Sequence, residues 1–238
     1  MAEQYAKLDI LCEDGPVLAV NKPSGMISQG APPGSFSLVD HVKHYLKVKY
    51  DKPGDVYLGI PHRLDRPVSG VIVFSRNSKC AARLTEQFAK RVPRKVYRAV
   101  LEGILPEKEG ILEDYIRRDE VHSRVHIAKK SHPAAKFARL RYKTLAEHQG
   151  KTLVEVELDT GRMHQIRIQF ASRNAPIVGD LEYGAKAFAE FSTSKQPPMI
   201  ALHAWQLTIQ HPIRREDLTI EAPMPKSWRR FNFPIESW

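Results

Sequence analysis

The chain has 238 residues, 42% of them hydrophobic and 27% charged, which is apolar content enough for one large domain or two small ones and excludes disorder as the default state. Its 37 lysines and arginines stand against 27 acidic residues, a formal net charge of +10 that is spread along the sequence rather than gathered in a tail. That excess points to a polyanionic partner met by a folded basic face, nucleic acid first and an acidic membrane surface second.

The two cysteines, Cys12 and Cys80, have no C-x-x-C spacing, so neither a zinc site nor a disulfide framework is expected. Met1 to Leu8 lacks an apolar signal region, and no apolar run is long enough to span a bilayer. A soluble, cytoplasmic protein with reduced thiols is the expectation.

Ile10-Leu11 and Val17 to Val20 are apolar stretches separated by Glu13-Asp14-Gly15-Pro16, which predicts a strand pair. Asn21-Lys22-Pro23-Ser24-Gly25 then reads as a Pro-Gly loop with a solvated lysine. Beyond the Pro/Gly-rich residues 30–35, Leu38, Val39, Val42, Tyr45 and Leu46 recur at helical spacing and predict a helix over 36–48.

The next segment is the densest in chemistry. Val56, Leu58 and Ile60 alternate and Val71 to Phe74 are rich in β-branched residues; between them lies Pro61-His62-Arg63-Leu64-Asp65-Arg66-Pro67-Val68-Ser69-Gly70. The pattern predicts a strand, a tight corner at Pro67 and Ser69-Gly70, and a second strand. Asp65 precedes the corner, and Arg63 and Arg66 on either side favour its ionised form at neutral pH. An ionised carboxylate suits a nucleophile or a base rather than a general acid. A turn aspartate in a surface ion pair is the plain structural alternative.

A second helix is predicted from Ser78 as N-cap, with Ala81, Leu84, Phe88 and Ala89 inward. Arg94 to Leu101 alternates as a strand, with Val96, Arg98 and Val100 on one face and Lys95, Tyr97 and Ala99 on the other. Residues 104–136 carry Arg117, Arg118, Arg124, Lys129 and Lys130 along predicted hairpin strands, an excursion facing nucleic acid or a solvated ribbon. Leu140, Tyr142 and Thr144, then Val154, Val156 and Leu158, mark two half-buried antiparallel strands joined around His148-Gln149-Gly150. Thr160-Gly161 should end the second of these and start a helix in which Met163, Ile166 and Phe170 form an apolar stripe, with Arg167 one position round.

With these segments in view, the chain resembles the RluA-like family of pseudouridine synthases. His62-Arg63-Leu64-Asp65 with Val68-Ser69-Gly70 is similar to its HRLD-x-x-T-S-G signature, valine replacing threonine. Asn21 to Gly25 resembles its N-K-P-x-G loop, and Lys95-Val96-Tyr97 its K-x-Y. Thr160 to Arg167 resembles T-G-R-x-H-Q-I-R, with Gln169 where histidine is usual. Pro176 to Gly184 resembles P-I-x-G-D-x-x-Y-G, preceded by Asn174 in place of a usual glycine, and Ala201 to Ile209 the late L-H-A strand.

The resemblance implies an α+β fold, a mixed, mostly antiparallel sheet flanked by helices with an active-site cleft between two lobes. It covers a catalytic domain over 10–224 with terminal extensions 1–9 and 225–238, and leaves no room for the N-terminal RNA-binding S4 domain that some relatives carry. The implied activity is isomerisation of specific uridines in rRNA or tRNA to pseudouridine by a catalytic aspartate. Nothing is oxidised in that reaction, so no cofactor and no metal are expected, and a monomer is favoured.

The resemblance also assigns roles. Asp65 would be the nucleophile or base, Arg167 the guanidinium that pairs with it, and Tyr97 the ring packed on the target base, with Lys95 beside it. Ile166 would wall the base. Arg63 would hold the flipped nucleotide or fill the space it leaves in the RNA. Arg162, His164 and Gln165 would contact phosphate or support the site, a structural His-Gln pair being the alternative.

Two other function classes stand beside this one. A non-catalytic RNA-binding or ribosome-assembly module would explain Val68 and Gln169, but Asp65 and Arg167 are both present. A hydrolase using Asp65 lacks an evident second acid.

Overall fold

The computed structural model describes Tyr5, residues 7–188 and residues 199–234; parts of both terminal extensions lie outside the described residues. Among the described residues, ten strands of a mixed, largely antiparallel sheet and a few short helices make up the expected α+β architecture. The chain folds as two compact units: Met1–Pro93 with Gln206–Ala222, and Arg94–Trp205 with Pro223–Trp238.

In the first unit, β1 (Ile10–Asp14) and β2 (Val17–Lys22) form the predicted hairpin. Strand β2 pairs antiparallel with β3 (Ser69–Ser75), every residue of which is buried. Helix α1 (Leu38–Lys49) starts slightly later than the spacing predicts because Ser37 caps it, its hydroxyl accepting from the Asp40 N–H while the Asp40 carboxylate accepts from the Ser37 N–H. Leu38, Val39, Val42 and Leu46 are buried as the stripe requires. Tyr45 reaches Glu13 instead, together with Lys49 and Tyr50. Burial pushes the Glu13 carboxyl up, but hydrogen bonds from these three groups outweigh it and bring the group down to about 2.

Helix α2 (Ser78–Ala89) is capped by Asn77, one residue before the serine expected there; the Asn77 side chain accepts from the Cys80 N–H at 2.9 Å. Cys80, Ala81 and Leu84 are buried. Ala89, expected inward, is exposed, since it lies about 100° round the helix from Phe88. Leu84 joins a core cluster with Val17, Ala19, Val71 and Val73 and with Leu207, Ile209, Ile220 and Ala222, the last four brought by β9 (Leu202–Gln210), β10 (Asp217–Glu221) and the residue after it.

The strand expected at residues 56–60 is absent. Val56 and Leu58 are buried, so the alternation reports alternate burial, but only Gly59 bridges to another strand, exchanging bonds of 2.8 and 2.9 Å with Ser75. Pro61 ends the pairing, having no N–H to donate. At Gly59 the backbone passes so close to α2 that an added Cβ would sit 2.3 Å from Cβ of Ala81.

In the second unit the strands run in the order β4 (Arg94–Glu102), β8 (Lys151–Leu158), β7 (Lys136–His148), β5 (Glu109–Arg118), β6 (Val125–Ala128), each antiparallel to its neighbour. Strands β7 and β8 join through Gln149-Gly150, with His148 opposite Lys151 and both turn residues at positive φ, the two-residue hairpin expected there. Helix α3 (Gln165–Ala171) follows β8. After it, Asn174 takes φ 58°. This is where the family pattern has glycine, and asparagine is among the few side chains that adopt the left-handed region at low cost.

Cys12 and Cys80 are free thiols. Among the described residues no helix is long and apolar enough to cross a membrane.

The close approach at Gly59 gives a direct test. The two Cβ atoms belong to rigid positions, so Gly59→Ala must displace α2 or the segment leading to Asp65. A loss of about 1–3 kcal/mol in urea unfolding is expected; unchanged stability would show that the approach is not tight.

Candidate active site

In the first unit the side chains of residues 62–65 alternate about the segment. His62 turns inward: its Nε2 accepts from the Val73 N–H at 3.0 Å and its ring stacks on Phe88 at 4.4 Å. Leu64 is buried, Arg63 is exposed and Asp65 is half-buried. The corner is a turn with Arg66-Pro67 at its centre, closed by the Val68 N–H donating to the Asp65 carbonyl at 3.1 Å. Val68 itself is buried. Its backbone closes the turn and its side chain enters the core, so valine meets the demands of this position without a hydroxyl.

The backbone on both sides of Asp65 is fastened to residues 22–28. The Ser28 hydroxyl donates to the Leu64 carbonyl at 2.6 Å and the Ser24 hydroxyl to the Pro67 carbonyl at 2.6 Å. The Gly25 N–H donates to the Arg66 carbonyl at 2.8 Å, and Arg66 Nε donates back to the Gly25 carbonyl at 3.0 Å. Lys22, expected to be solvated, is fully buried. It ends β2 opposite Gly70, and its ammonium donates to the carbonyls of Pro23, Met26 and Arg66 at 3.0, 2.8 and 3.1 Å. Burial pulls it down to about 7, against the Asp65 charge, which raises it, and with Arg66, which lowers it further.

In the second unit the helix predicted from Thr160-Gly161 begins only at Gln165, leaving Met163 outside it. His164 takes φ 50°, which interrupts the helix on its N-terminal side. Gln165 closes the preceding loop: its Oε1 accepts from the Thr160 hydroxyl at 2.7 Å and the Arg162 N–H at 3.0 Å, and its Nε2 donates to the Arg139 carbonyl at 3.0 Å. Arg162 Nε donates to the Phe137 carbonyl. Lys95, on β4, brings its ammonium beside Gly161, 3.1 Å from where a Cβ would stand. Tyr97 is half-buried on β4, opposite Val156 of β8.

Arg167 is 4% exposed and bound as a fork: Nε to Asp180 Oδ2 at 2.6 Å and Nη2 to Asp180 Oδ1 at 2.7 Å, with Nη2 also 2.7 Å from Glu182 Oε2. Its guanidinium lies 4.8 Å from the centre of the Tyr183 ring. The Tyr183 hydroxyl in turn accepts from the Val125 N–H at 2.9 Å and lies 2.9 Å from His164 Nδ1. Burial pushes that hydroxyl up to about 12, which keeps it protonated. Ile166 is buried beside Arg167. Gln169, where the family pattern has histidine, is buried and ties α3 to β5 by donating to the Leu112 carbonyl and to Asp114 Oδ2.

The candidates thus divide: Arg63 and Asp65 lie in the first unit, and Lys95, Tyr97, Arg162, His164, Gln165, Ile166 and Arg167 in the second. Sequence reasoning missed Lys22, Ser24 and Ser28 around Asp65, and Asp180, Glu182 and Tyr183 around Arg167. The second group was present in the Pro176–Gly184 motif, whose acid and tyrosine were noted without a role. Among the described residues no three His, Cys, Asp or Glu side chains cluster as metal ligands.

Residues 16–172 match the family model described as RNA pseudouridylate synthase. The chain is 34% identical over 225 residues to the uncharacterized RNA pseudouridine synthase YhcT of Bacillus subtilis, an alignment covering 93% of this chain and 70% of that protein. It is 33% identical to the ribosomal large subunit pseudouridine synthase D of Neisseria meningitidis serogroup A, covering 92% of this chain and 58% of that one. Among solved structures, human RNA pseudouridylate synthase domain containing 4 shares the fold, with a TM-score of 0.78 at 22% identity over 95% of this chain and 94% of that one.

The Arg167 clamp is testable by the difference between its two acids. Asp180 is buried and holds two nitrogens, whereas the Glu182 side chain is 38% exposed. Asp180→Asn should cost about 3 kcal/mol in denaturant unfolding, and Glu182→Gln no more than about 1 kcal/mol. Equal effects would show that the buried fork is not what holds Arg167.

Proposed function

The chain belongs to the RNA pseudouridylate synthase family, isomerases that act on RNA, and we propose that Asp65 is the carboxylate with which it converts uridine to pseudouridine. In this reaction the bond from N1 of uracil to C1′ of ribose breaks, the base turns while held, and C5 bonds to C1′. C5 loses its proton and N1 gains one, so the product is an isomer and no electrons leave or enter. An ionised Asp65 serves by attack on carbon with later departure, or by abstracting a ribose proton and returning it.

The observation that carries the assignment is the fastening of the backbone on both sides of Asp65 by Ser24, Ser28 and Lys22, which a solvated turn aspartate does not require. In this reading Arg167 is the cation paired with Asp65, its guanidinium already oriented by Asp180 and Tyr183. Tyr97 covers one face of the base and Ile166 the other, with Lys95 alongside. Arg63, exposed next to Asp65, holds the displaced nucleotide or fills its place.

Gln165 has both ends of its carboxamide engaged with the protein, which favours the structural role. Arg162 and His164 also have protein partners, Phe137 and Tyr183, and act in this reading by shaping the loop before α3. Exposed Arg118, Lys129 and Lys130 along the β5–β6 hairpin and beyond it supply phosphate contacts. The Neisseria relative is named for the large ribosomal subunit, and ribosomal RNA is accordingly the proposed substrate ahead of tRNA. The proposed setting is the cytoplasm, with the chain acting as a monomer.

Affinity for RNA should come from phosphate contacts and chemistry from one carboxylate. Asp65→Asn should therefore abolish pseudouridine formation while leaving the Kd for RNA within about threefold; normal turnover would refute the assignment. Arg167→Lys should remain folded but lose about 100-fold in kcat, because an ammonium cannot reproduce the fork. Wild-type rates in that variant would show that a point charge is sufficient.

A further inference from the structure

Helix α2 turns two different sides to its surroundings. Ala81, Leu84 and Phe88 face the core and the segment leading to Asp65. Arg83, Gln87 and Lys90, at i, i+4 and i+7, form a second stripe about 100° round the helix and meet the turn between β9 and β10. A pocket of about 430 Å³ lies there, entirely within the first unit and of a size usual for a small-ligand site. The protein fixes its frame. Gln87 Nε2 donates to the Gln210 carbonyl at 2.8 Å, Gln87 Oε1 accepts from the Gln210 N–H at 2.9 Å, and Arg83 Nη1 donates to the Pro212 carbonyl at 2.6 Å.

The charge in this pocket is one-sided. Arg83, Lys90 and Arg215 line it against one acid, Glu86, which Lys90 pairs at 2.6 Å. The partner of Arg83 is a neutral carbonyl, so that bond leaves its charge uncompensated. Arg215 is exposed and forms no ion pair among the described residues. Asp14 and Glu216 are both engaged by Arg214, which does not line the pocket.

His211 lines the same pocket and is 2% exposed. Its Nδ1 accepts from the N–H groups of Ile213 and Arg214 at 3.3 and 3.1 Å. Nδ1 therefore carries no proton, and the N–H of the neutral ring is at Nε2. That group is buried, and no atom among the described residues accepts from it. A buried donor without an acceptor is costly, and an anionic oxygen seated in the pocket would supply one.

We propose that this pocket binds a phosphate group of the RNA strand, with Arg83, Lys90 and Arg215 as its cations and His211 Nε2 as its buried donor. The phosphate belongs to a nucleotide other than the one rearranged, since the Asp65 segment packs on a different side of α2. A phosphate carries no base identity, so the site sets the register of the strand and does not read its sequence. The proposal rests on RNA being the substrate and not on the role of Asp65. It gives the pocket no part in the chemical step.

The test measures Kd for a large-subunit ribosomal RNA transcript as a function of salt, with kcat and thermal unfolding, for wild type, Lys90→Gln/Arg215→Gly and a control, Lys47→Gln/Lys52→Gln. Glycine suits position 215, where φ is 63°. The control removes the same charge from exposed residues at the end of α1 and just beyond it. The pocket variant should bind about tenfold more weakly, with the slope of log Kd on log salt lower by about one. Its kcat at saturating RNA should stay within about twofold, and the control should keep Kd within about threefold. An unchanged Kd in the pocket variant, or equal weakening in the control, overturns the proposal. Should the double variant fail to fold, Lys90→Gln alone decides: a weakened Kd supports the site and an unchanged one overturns it. Inorganic phosphate, followed by NMR at the His211 Nε2 proton, separates the two sources of the anion. Phosphate and RNA should shift the same resonance; a shift with phosphate but none with RNA marks a free-phosphate site and overturns the proposal. An active Asp65→Asn removes the reading of Asp65 and leaves this site, which Kd reports. An inactive Asp65→Asn beside a pocket variant of wild-type Kd removes this site alone, and wild type that binds no RNA removes both.

Discussion

A lysine nitrogen without access to water gathers three backbone carbonyls beneath the turn that carries Asp65, and the placement of that turn in the first unit depends on this constraint. Lys22 can be there because β2 stays paired with β3 to its last residue, delivering the side chain beneath two loops that are distant in sequence. His62 stacked on α2, Leu64 and Val68 in the core, and the serine tethers all act on the same short segment. A side chain held through its own backbone from both directions has few orientations available, which is what a reaction dependent on approach geometry requires.

The second unit uses the same physics with the opposite sign of charge as the fixing group. Arg167 is nearly inaccessible, and Asp180 satisfies two of its nitrogens in a plane that Tyr183 supports from below. A buried ion pair is a weak source of net stability, since the attraction must first offset several kcal/mol of desolvation per ion. Its contribution here is orientation. Tyr183 extends the arrangement to β6 through the Val125 N–H, so the guanidinium is referred to the sheet and not only to its own helix.

Much of the fold was legible because it is decided locally. The β1–β2 and β7–β8 hairpins follow from Gly15 and Gln149-Gly150, and α1 from an apolar stripe behind a serine. The failures are where distant groups decide. Alternation at Val56 and Leu58 reports burial, which a ladder and a closely packed loop produce equally, and only the proximity of α2 separates them. Lys22 reads as solvated because the Arg66 carbonyl that receives it is 44 residues away. The helix after β8 starts late because Gln165 bonds backward to the Arg139 carbonyl on β7, a partner that local periodicity does not reveal. The motif around Asp65 was visible as a motif, while the residues that fix it were not. Asn174, by contrast, departs from the family pattern in spelling and satisfies it in conformation.

A fixed carboxylate that rearranges uridine within RNA, as proposed for Asp65, does not release its base. RNA labelled with tritium at C5 of uridine separates the possibilities in one assay, because C5 must exchange its hydrogen for a carbon when the new bond forms. Tritium should appear in water in proportion to pseudouridine in the RNA, with no free uracil. Labelled uracil in solution, or RNA bound with its label intact, would contradict it.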